Sequence, residues 1–215
     1  MDLEQLKQRI IDGEKAAAVA LTQQAIDDGR PPADIFTLAL FPAMDRVGQL
    51  MQEHVYFLPE VLLSARAMQA CSALLRPLVA RNGAVQPIGK AVACTVAGDM
   101  HDIGKNLVCL MLEGAGFAIV DLGANCPSQK VVDAVREHQP DILAMSAMLT
   151  TTMLNMRAVI EGLKAAGLRD RVHVMVGGAP VSEKFAKEIG ADFHSNQAAI
   201  ASTYARGYME ARSAR

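Results

Sequence analysis

The chain has 215 residues, of which 51% are hydrophobic, and its formal net charge at pH 7 is −2. This length allows one large domain or two small ones, and the near-neutral charge argues against a nucleic-acid-binding surface. No membrane-spanning segment is predicted, because no run of about 18 apolar residues occurs, and the amino terminus does not resemble a signal peptide. Four widely spaced cysteines favour free thiols in a reducing cytoplasm over disulfides or zinc sites. We therefore expect a cytoplasmic protein.

Residues 1 to about 81 show the periodicity of amphipathic helices and no strand pattern. The first predicted helix begins near Leu3, a second covers 16–26, and a third covers 35–50 with a kink or break at Pro42. A fourth runs from 60 to about 80, with Pro59 in its first turn. Short connections between these helices predict a small helical bundle.

Residues 82–89 form a predicted linker, and beyond them strands and helices alternate. The predicted strands are 90–97, 118–122, 141–146, 172–176 and a short one near 191–194. The predicted helices are 104–116, 128–139, 152–167, 181–189 and 197–212. Five such units indicate a parallel sheet covered on both faces, and the expected fold is a flavodoxin-like (Rossmann-like), doubly wound, five-stranded α/β domain. We place the helical domain at 1–86 and the α/β domain at 87–215.

The segment that follows the first predicted strand, residues 98–106 with the sequence GDMHDIGKN, carries the most specific signal in the chain. Its core is D-x-H-x-x-G, formed by Asp99, His101 and Gly104. A strand that ends here places the imidazole at the carboxyl edge of the sheet, where open α/β sheets bind ligands. Asp99 can hydrogen-bond one ring nitrogen and leave the other free to bind a metal, and Gly104 lets the loop turn close to it. From these residues alone, an ordinary surface histidine remains an alternative.

Two further motifs stand at later predicted strand ends: Ser146-Ala147-Met148 and Gly177-Gly178. Together with the first motif they resemble the corrinoid methyl-transfer proteins, whose pattern is D-x-H-x-x-G, S-x-L and G-G, and which are related to the cobalamin-binding module of methionine synthase. Met148 stands where the family has Leu, and its unbranched apolar side chain fills a similar volume. The resemblance implies a cobalamin cofactor whose own benzimidazole leaves the cobalt and lies in a channel through the domain.

The resemblance also implies the roles of individual residues. His101 would be the metal ligand, and His101, Asp99 and Ser146 would form a catalytic relay that takes up a proton. The expected cofactor-binding residues of the α/β domain are Met100, His101, Asp102, Ile103, Gly104, Ser146, Met148, Thr150, Gly177, Gly178, Ala179 and Asn196. Residues 150–152 could instead cap the next helix, and the glycine pair could form a tight turn without a ligand. His194 is expected to be polar lining and not a second cobalt ligand.

The amino-terminal part resembles the helical cap of methionine synthase and of stand-alone corrinoid proteins. This implies that Phe57, Leu58 and Met68 bind the cofactor by placing apolar side chains above the corrin, although apolar residues at helical spacing are usually core. Residues 121–127, with the sequence DLGANCP, resemble a family turn with a structural or partner-docking role. Cys126 lies in this turn, and a lone cysteine without ligand spacing is expected to be inert.

By resemblance the protein is a corrinoid methyl carrier. It would accept a methyl group on cobalt from a substrate-specific methyltransferase, giving methylcobalamin as the loaded state, and hand it to a second, acceptor methyltransferase that uses tetrahydrofolate or a thiol. A corrinoid reductive-activation protein would be a further partner, and no nucleic acid or membrane is expected to bind. A substrate-binding barrel needs about 250 residues, so we do not expect catalysis by this chain alone.

Two alternatives share the cobalamin domain: a subunit of an adenosylcobalamin-dependent mutase, and a cobalamin sensor. The mutase subunit needs no helical cap, so the first 80 residues argue against it. A sensor usually carries an output module, for which this chain has no length to spare.

Overall fold

The computed structural model describes residues 2–82 and 87–213. The chain divides into two compact units, one formed by 1–87 with 114–116 and the other by 88–113 with 117–215. The predicted linker at 82–89 falls largely on residues 83–86, which lie outside the described residues. The predicted boundary between residues 86 and 87 lies at the end of the same gap and stays a prediction.

The amino-terminal unit is helical, as the periodicity predicted. Its α-helices are α1 (Leu3–Ile11), α2 (Lys15–Asp27), α3 (Pro32–Ile35), α4 (Phe41–Gln52) and α5 (Leu58–Asn82). The Asp2 carboxylate accepts a hydrogen bond from the Glu4 amide and so caps the first turn of α1. The apolar faces of these helices supply fully buried side chains, among them Leu6, Ile10, Ile35 and Leu40.

Pro42 does not break its helix. A π-helical segment, Phe36–Leu40, joins α3 directly to α4, and α4 continues past Pro42 to Gln52. A proline removes one backbone donor and its ring crowds the carbonyl four residues earlier, which here belongs to Leu38. The wider π turn lies at that carbonyl, and such turns occur as single irregularities inside α-helices. The predicted kink or break is therefore a π-helical turn.

The carboxyl-terminal unit is a parallel sheet with helices between its strands. Its strands are β1 (Lys90–Thr95), β2 (Ala118–Asp121), β3 (Ile142–Ser146), β4 (His173–Gly177) and β5 (Phe193–His194). Its helices are α6 (Ile103–Gly114), α7 (Ser128–His138), α8 (Leu154–Ala165), α9 (Glu183–Ile189) and α10 (Ala198–Ser213). The strand order is β2-β1-β3-β4-β5 and every pairing is parallel. This confirms the predicted flavodoxin-like topology.

The strand order places a topological switch point between β1 and β3, because the chain leaves β1 towards β2 and then returns to β1's other side. Thr95 is in register with Ser146 in the β1–β3 pair. The loops that follow these two residues are therefore neighbours at the carboxyl edge, which is where ligands bind in this fold. Residues 91–94 of β1 are fully buried, as expected for a strand covered on both faces.

Across the two described ranges, no helix combines the length and the apolar character that crossing a membrane requires.

Candidate functional site

His101 and Asp99 occupy the loop between β1 and α6. Asp99 is fully buried, whereas 58% of the His101 side chain is exposed. The two side chains are joined by a hydrogen bond of 2.8 Å between His101 Nδ1 and Asp99 Oδ1. The same oxygen accepts the backbone N–H of His101 at 3.0 Å. The carboxylate therefore fixes both the backbone and the ring of the histidine.

The second oxygen of Asp99 is also fully used. Oδ2 accepts the Met148 amide at 2.7 Å and the Thr152 hydroxyl at 2.6 Å. Burial acts to raise the pKa of Asp99, but the hydrogen bonds from Thr152, Met148 and His101 outweigh it and hold that pKa well below its ordinary value. Asp99 is thus ionised and can only accept, so His101 Nδ1 carries the proton. His101 Nε2 has no hydrogen-bond partner within the described ranges.

The predicted relay is wrong in its third member. Thr152, not Ser146, donates to the Asp99 carboxylate among the residues described. Ser146 is the last residue of β3, paired with Thr95 and Gly177, and the following turn is what brings Thr152 to Asp99. Nor does Thr152 cap α8, whose N-cap is Met153 without a side-chain bond, while Thr150 is exposed. The run of threonines was a visible signal, but the sequence cannot tell which hydroxyl points inward.

The glycine pair after β4 is required by the protein's own backbone. A Cβ on Gly178 would lie 1.8 Å from the Ala147 carbonyl oxygen, and one on Gly177 would lie 2.3 Å from that of Ser195. Gly178 also has a φ of 119°, which other residues rarely adopt. Neighbouring loops therefore meet here backbone to backbone. This explains both glycines without a ligand, and their contact with a cofactor stays a prediction.

Asn196 and His194 follow β5 and bond to the same region. Asn196 Oδ1 accepts the Gly178 amide at 3.2 Å, and His194 Nε2 lies 2.8 Å from the Val181 carbonyl oxygen. The His194 nitrogen is thus engaged by a protein atom, in contrast to His101 Nε2. This arrangement agrees with a lining role for His194.

An apolar surface accompanies His101. Met100 and Ile103 flank it in sequence and are 70% and 68% exposed, and Met148 and Leu149 on the loop after β3 are 50% and 44% exposed. Large exposed apolar side chains from adjacent loops mark a ligand or partner surface. Around Gly104 the space is open, because a Cβ there would meet nothing within 4 Å. Of the other predicted residues, Asp102 is half-buried and Ala179 is exposed.

Lys105 follows the motif glycine, and the motif predicts no role for it. It is 3% exposed, and its ammonium donates to Asp121 Oδ2 and to Asn106 Oδ1 at 2.5 Å each. Asp121 Oδ1 in turn accepts the Gly123 amide. The pair joins the first turn of α6 to the end of β2. Its only sequence signal is a lysine beside the motif and an acid at a predicted strand end.

The three residues predicted to lie above a corrin differ in exposure. Phe57 is 61% exposed, Leu58 is half-buried and Met68 is 2% exposed. Beside Phe57, the Tyr56 hydroxyl donates to the Ile11 carbonyl at 3.2 Å and so holds this segment against the end of α1. The role above a corrin stays a prediction for all three.

Cys126 is a poor metal ligand. It is buried, its Sγ donates to the Leu122 carbonyl at 3.3 Å, and burial raises the pKa of its thiol. In the described part of the chain, no group of three His, Cys, Asp or Glu side chains could hold a metal ion.

The chain matches two models of known protein families. Residues 89–201 match the model of the B12 binding domain, and residues 2–76 match a second B12 binding domain model. A corrinoid protein of Desulfitobacterium hafniense is 41% identical over 192 residues, covering 88% of this chain and 89% of that protein. The chain belongs to the B12-binding corrinoid proteins.

Two further similarities extend this result. A trimethylamine corrinoid protein of Methanosarcina acetivorans is 38% identical over 193 residues, which is 89% of each chain. A chain of the methanol:cobalamin methyltransferase complex of Methanosarcina barkeri superposes with a TM-score of 0.85 at 32% identity, covering 95% of this corrinoid protein and 78% of that chain. The cofactor of this corrinoid protein is therefore a cobalamin-type corrinoid.

The site fits this cofactor. A corrin ring supplies four nitrogens to its cobalt, so a single further nitrogen from the protein would be enough to hold the metal. His101 Nε2 offers that nitrogen, and Asp99 on the opposite side of the ring fixes its tautomer. The exposed side chains of Met100, Ile103 and Met148 offer an apolar face for the macrocycle.

Proposed function

We propose that this corrinoid protein is a methyl carrier in which His101 would hold the cobalt through Nε2. The observation that carries the proposal is the exposed imidazole whose Nδ1 is bonded to a buried, fully hydrogen-bonded carboxylate. When bound, the cofactor supplies a cobalt ion that takes up a methyl group from one partner enzyme and releases it to another. The remaining chemistry belongs to the protein's own residues.

Asp99 orients the ring and sets its charge state. It holds Nδ1 protonated, so Nε2 is the ligating atom as long as the bond to the metal lasts. The ionised Asp99 carboxylate would also balance the charge of a protonated His101 ring, so the pair could hold a proton whenever Nε2 holds no metal. Thr152 and Met148 keep the carboxylate in place in either case. The relay that we propose is therefore His101, Asp99 and Thr152.

The partners of the carrier are proposed to be two methyltransferases. A substrate-specific enzyme loads the methyl group, an acceptor enzyme that uses tetrahydrofolate or a thiol removes it, and a reductive-activation protein restores the cobalt after oxidation. The relatives described above carry names for different methyl donors, trimethylamine and methanol. For this chain the donor is therefore stated only as a small methylated compound.

The test uses the full chain loaded with cobalamin and reduced. Alone, it should leave methylamines, methanol and other small methyl donors unchanged. With a cognate methyltransferase and its donor, its absorption spectrum should change to that of the methylated cofactor. Demethylation by the isolated chain, or an adenosyl group as the native upper ligand, would contradict the carrier role.

A further inference from the structure

The backbone of the loop that carries His101 is held by two asparagines that lie outside it. Asn155 Nδ2 on α8 donates to the Ala97 carbonyl at 2.7 Å. Asn125, on the loop after β2, bonds twice: its Oδ1 accepts the Gly98 amide at 2.8 Å, and its own amide donates to the Asp99 carbonyl at 2.9 Å. Three consecutive residues of the loop are thus bonded to the first turn of α8 and to the loop after β2.

Polar contacts are the main restraint on this loop, because little of it is packed. Met100 is 70% exposed, the His101 side chain is 58% exposed, and Gly98 has no side chain. Gly98 has a φ of 78°, in a region that glycine adopts freely. Asp99 is the fully buried residue here, and its carboxylate accepts bonds from the ring and amide of His101 and, on the loop after β3, from the Met148 amide and the Thr152 hydroxyl. The Thr95 hydroxyl on β1 also donates to the His101 carbonyl at 3.1 Å, and the two asparagines add bonds to the three residues before Met100.

The backbone conformation of Asn125 suits this contact. Its φ of 51° lies in the left-handed region, which L-residues rarely adopt and in which asparagine is among the more tolerated residues. Two residues close to Asn125 in the sequence are bonded to β1. The Thr95 backbone amide donates to the Gly123 carbonyl, and the Thr95 backbone carbonyl accepts the Cys126 amide. Backbone strain that the surrounding structure maintains is a frequent feature of functional sites.

We propose that Asn125 and Asn155 are positioning residues that set the height of the His101 backbone, so that Nε2 is already placed for cobalt before the cofactor binds. They act through Ala97, Gly98 and Asp99 and do not touch the metal. The inference rests on the proposed ligand role of His101. Prior placement lowers the ordering cost of binding, so loosening the loop should weaken the cofactor's bond to His101.

Three variants separate the contributions. Asn125→Gly removes the side-chain acceptor but keeps the amide and tolerates the left-handed backbone. Asn125→Asp keeps an acceptor oxygen for the Gly98 amide and should therefore retain wild-type cofactor binding. Asn155→Ala removes the bond to Ala97. Gln139→Gly is the matched control, because Gln139 also has a positive φ, of 46°, but lies at the end of α7 just before β3.

Two quantities are measured for each variant: the dissociation constant for aquocobalamin together with the absorption spectrum of the complex, and the urea unfolding of the cofactor-free protein. Loss of one neutral hydrogen bond should weaken binding about 2- to 10-fold in Asn125→Gly and in Asn155→Ala. Their spectra should shift towards the form without histidine ligation. Asn125→Asp and Gln139→Gly should have the dissociation constant and the absorption spectrum of the wild-type protein.

The inference is overturned if Asn125→Gly unfolds at lower urea but keeps the wild-type dissociation constant and spectrum, since a purely structural role would do that. His101→Ala is measured alongside. If His101→Ala changes the spectrum while Asn125→Gly does not, the positioning role is contradicted and the ligand role of His101 stands. If His101→Ala itself leaves the spectrum unchanged, the ligand role fails and this inference fails with it. Should Asn155→Ala not fold, Asn125→Gly decides the question.

Discussion

Asp99 and Thr152 lie 53 positions apart in the sequence, and the Thr152 hydroxyl donates to Asp99 Oδ2 at 2.6 Å. Both groups are buried. This bond joins the loop after β1 to the loop after β3 across the switch point of the sheet. It makes the threonine, and not the serine at the end of β3, the partner through which the carboxylate beneath His101 is held.

Removing the hydroxyl of Thr152 should therefore destabilise the folded protein, because Asp99 loses one of its hydrogen-bond donors. Thr152→Val keeps the shape and removes the donor to a charged acceptor, which should lower the free energy of unfolding by about 1.5–3 kcal/mol. Thr152→Ser should retain most of the stability. The exposed neighbour supplies the control, Thr151→Val, and urea unfolding of the cofactor-free protein is the measurement. Equal stability of Thr152→Val and Thr151→Val would rule out this role.

The lowered pKa of Asp99 predicts how stability depends on pH. A carboxyl whose pKa is lower in the folded than in the unfolded protein stabilises the fold above its unfolded value, and this contribution disappears as the pH falls through the folded value. The unfolded reference is 3.8. Asp99→Asn should thus be less stable than wild type at pH 7, and the difference should shrink as the pH is lowered below that value.

The control for this titration is Asp133→Asn. Asp133 is exposed on α7 and pairs with the equally exposed Arg136, so its loss should change stability by about 0.5 kcal/mol or less. A stability difference for Asp99→Asn that stays constant between pH 7 and pH 2 would contradict the account.

Gly178 offers a test of the packing between strand-end loops. In Gly178→Ala the new Cβ would meet the Ala147 carbonyl oxygen at 1.8 Å, at a φ of 119°. Both the clash and the backbone strain oppose this substitution, so we expect the free energy of unfolding to fall by at least about 2 kcal/mol. Gly207→Ala is the matched control, because Gly207 lies within α10 with no atom near its Cβ position.

In the control, alanine should stabilise the helix by about 0.5–1 kcal/mol. Thermal unfolding of the two variants should therefore shift in opposite directions. A Gly178→Ala protein as stable as wild type would mean that the loops do not meet as closely as described.

Lys105 and Asp121 should respond unequally to substitution. Lys105 is 3% exposed, whereas 40% of the Asp121 side chain reaches the surface. Asp121→Ala leaves a buried ammonium without its counter-charge and should cost about 3 kcal/mol, whereas Lys105→Met fills the same space without charge and should cost less than about 1.5 kcal/mol. Chemical denaturation measures the free energy of unfolding of both variants. A larger loss of stability in Lys105→Met than in Asp121→Ala would contradict this expectation.

The sequence predicted much of this structure because the signals were local. Alternating apolar strands and amphipathic helices indicate a parallel sheet, and the D-x-H spacing lets Asp99 reach the ring of His101, as the 2.8 Å bond between them shows. The choice between Ser146 and Thr152 was not local. It depends on the path of residues 147–151, which tertiary contacts determine.

The same limit applies to the other differences. Pro42 signalled an irregularity, but its form as a π turn depends on how the helix continues to pack. Asn125 lies within the 121–127 turn and Asn155 lies in no motif. The sequence predicts neither contact, since each side chain acts on a backbone group of a distant loop. Gly177 and Gly178 were predicted to admit the cofactor, which stays a prediction, and the contacts that require them in the structure belong to Ser195 and Ala147.

The central claim is that His101 Nε2 binds cobalt. Electron paramagnetic resonance of the cobalt(II) form, prepared with ¹⁵N-histidine in the protein and unlabelled cofactor, tests it most directly. A nitrogen from His101 should turn the triplet superhyperfine splitting seen with unlabelled protein into a doublet, and His101→Ala should abolish the doublet. A triplet that persists in the labelled protein would mean that the cofactor's own base remains on cobalt, and would contradict the account.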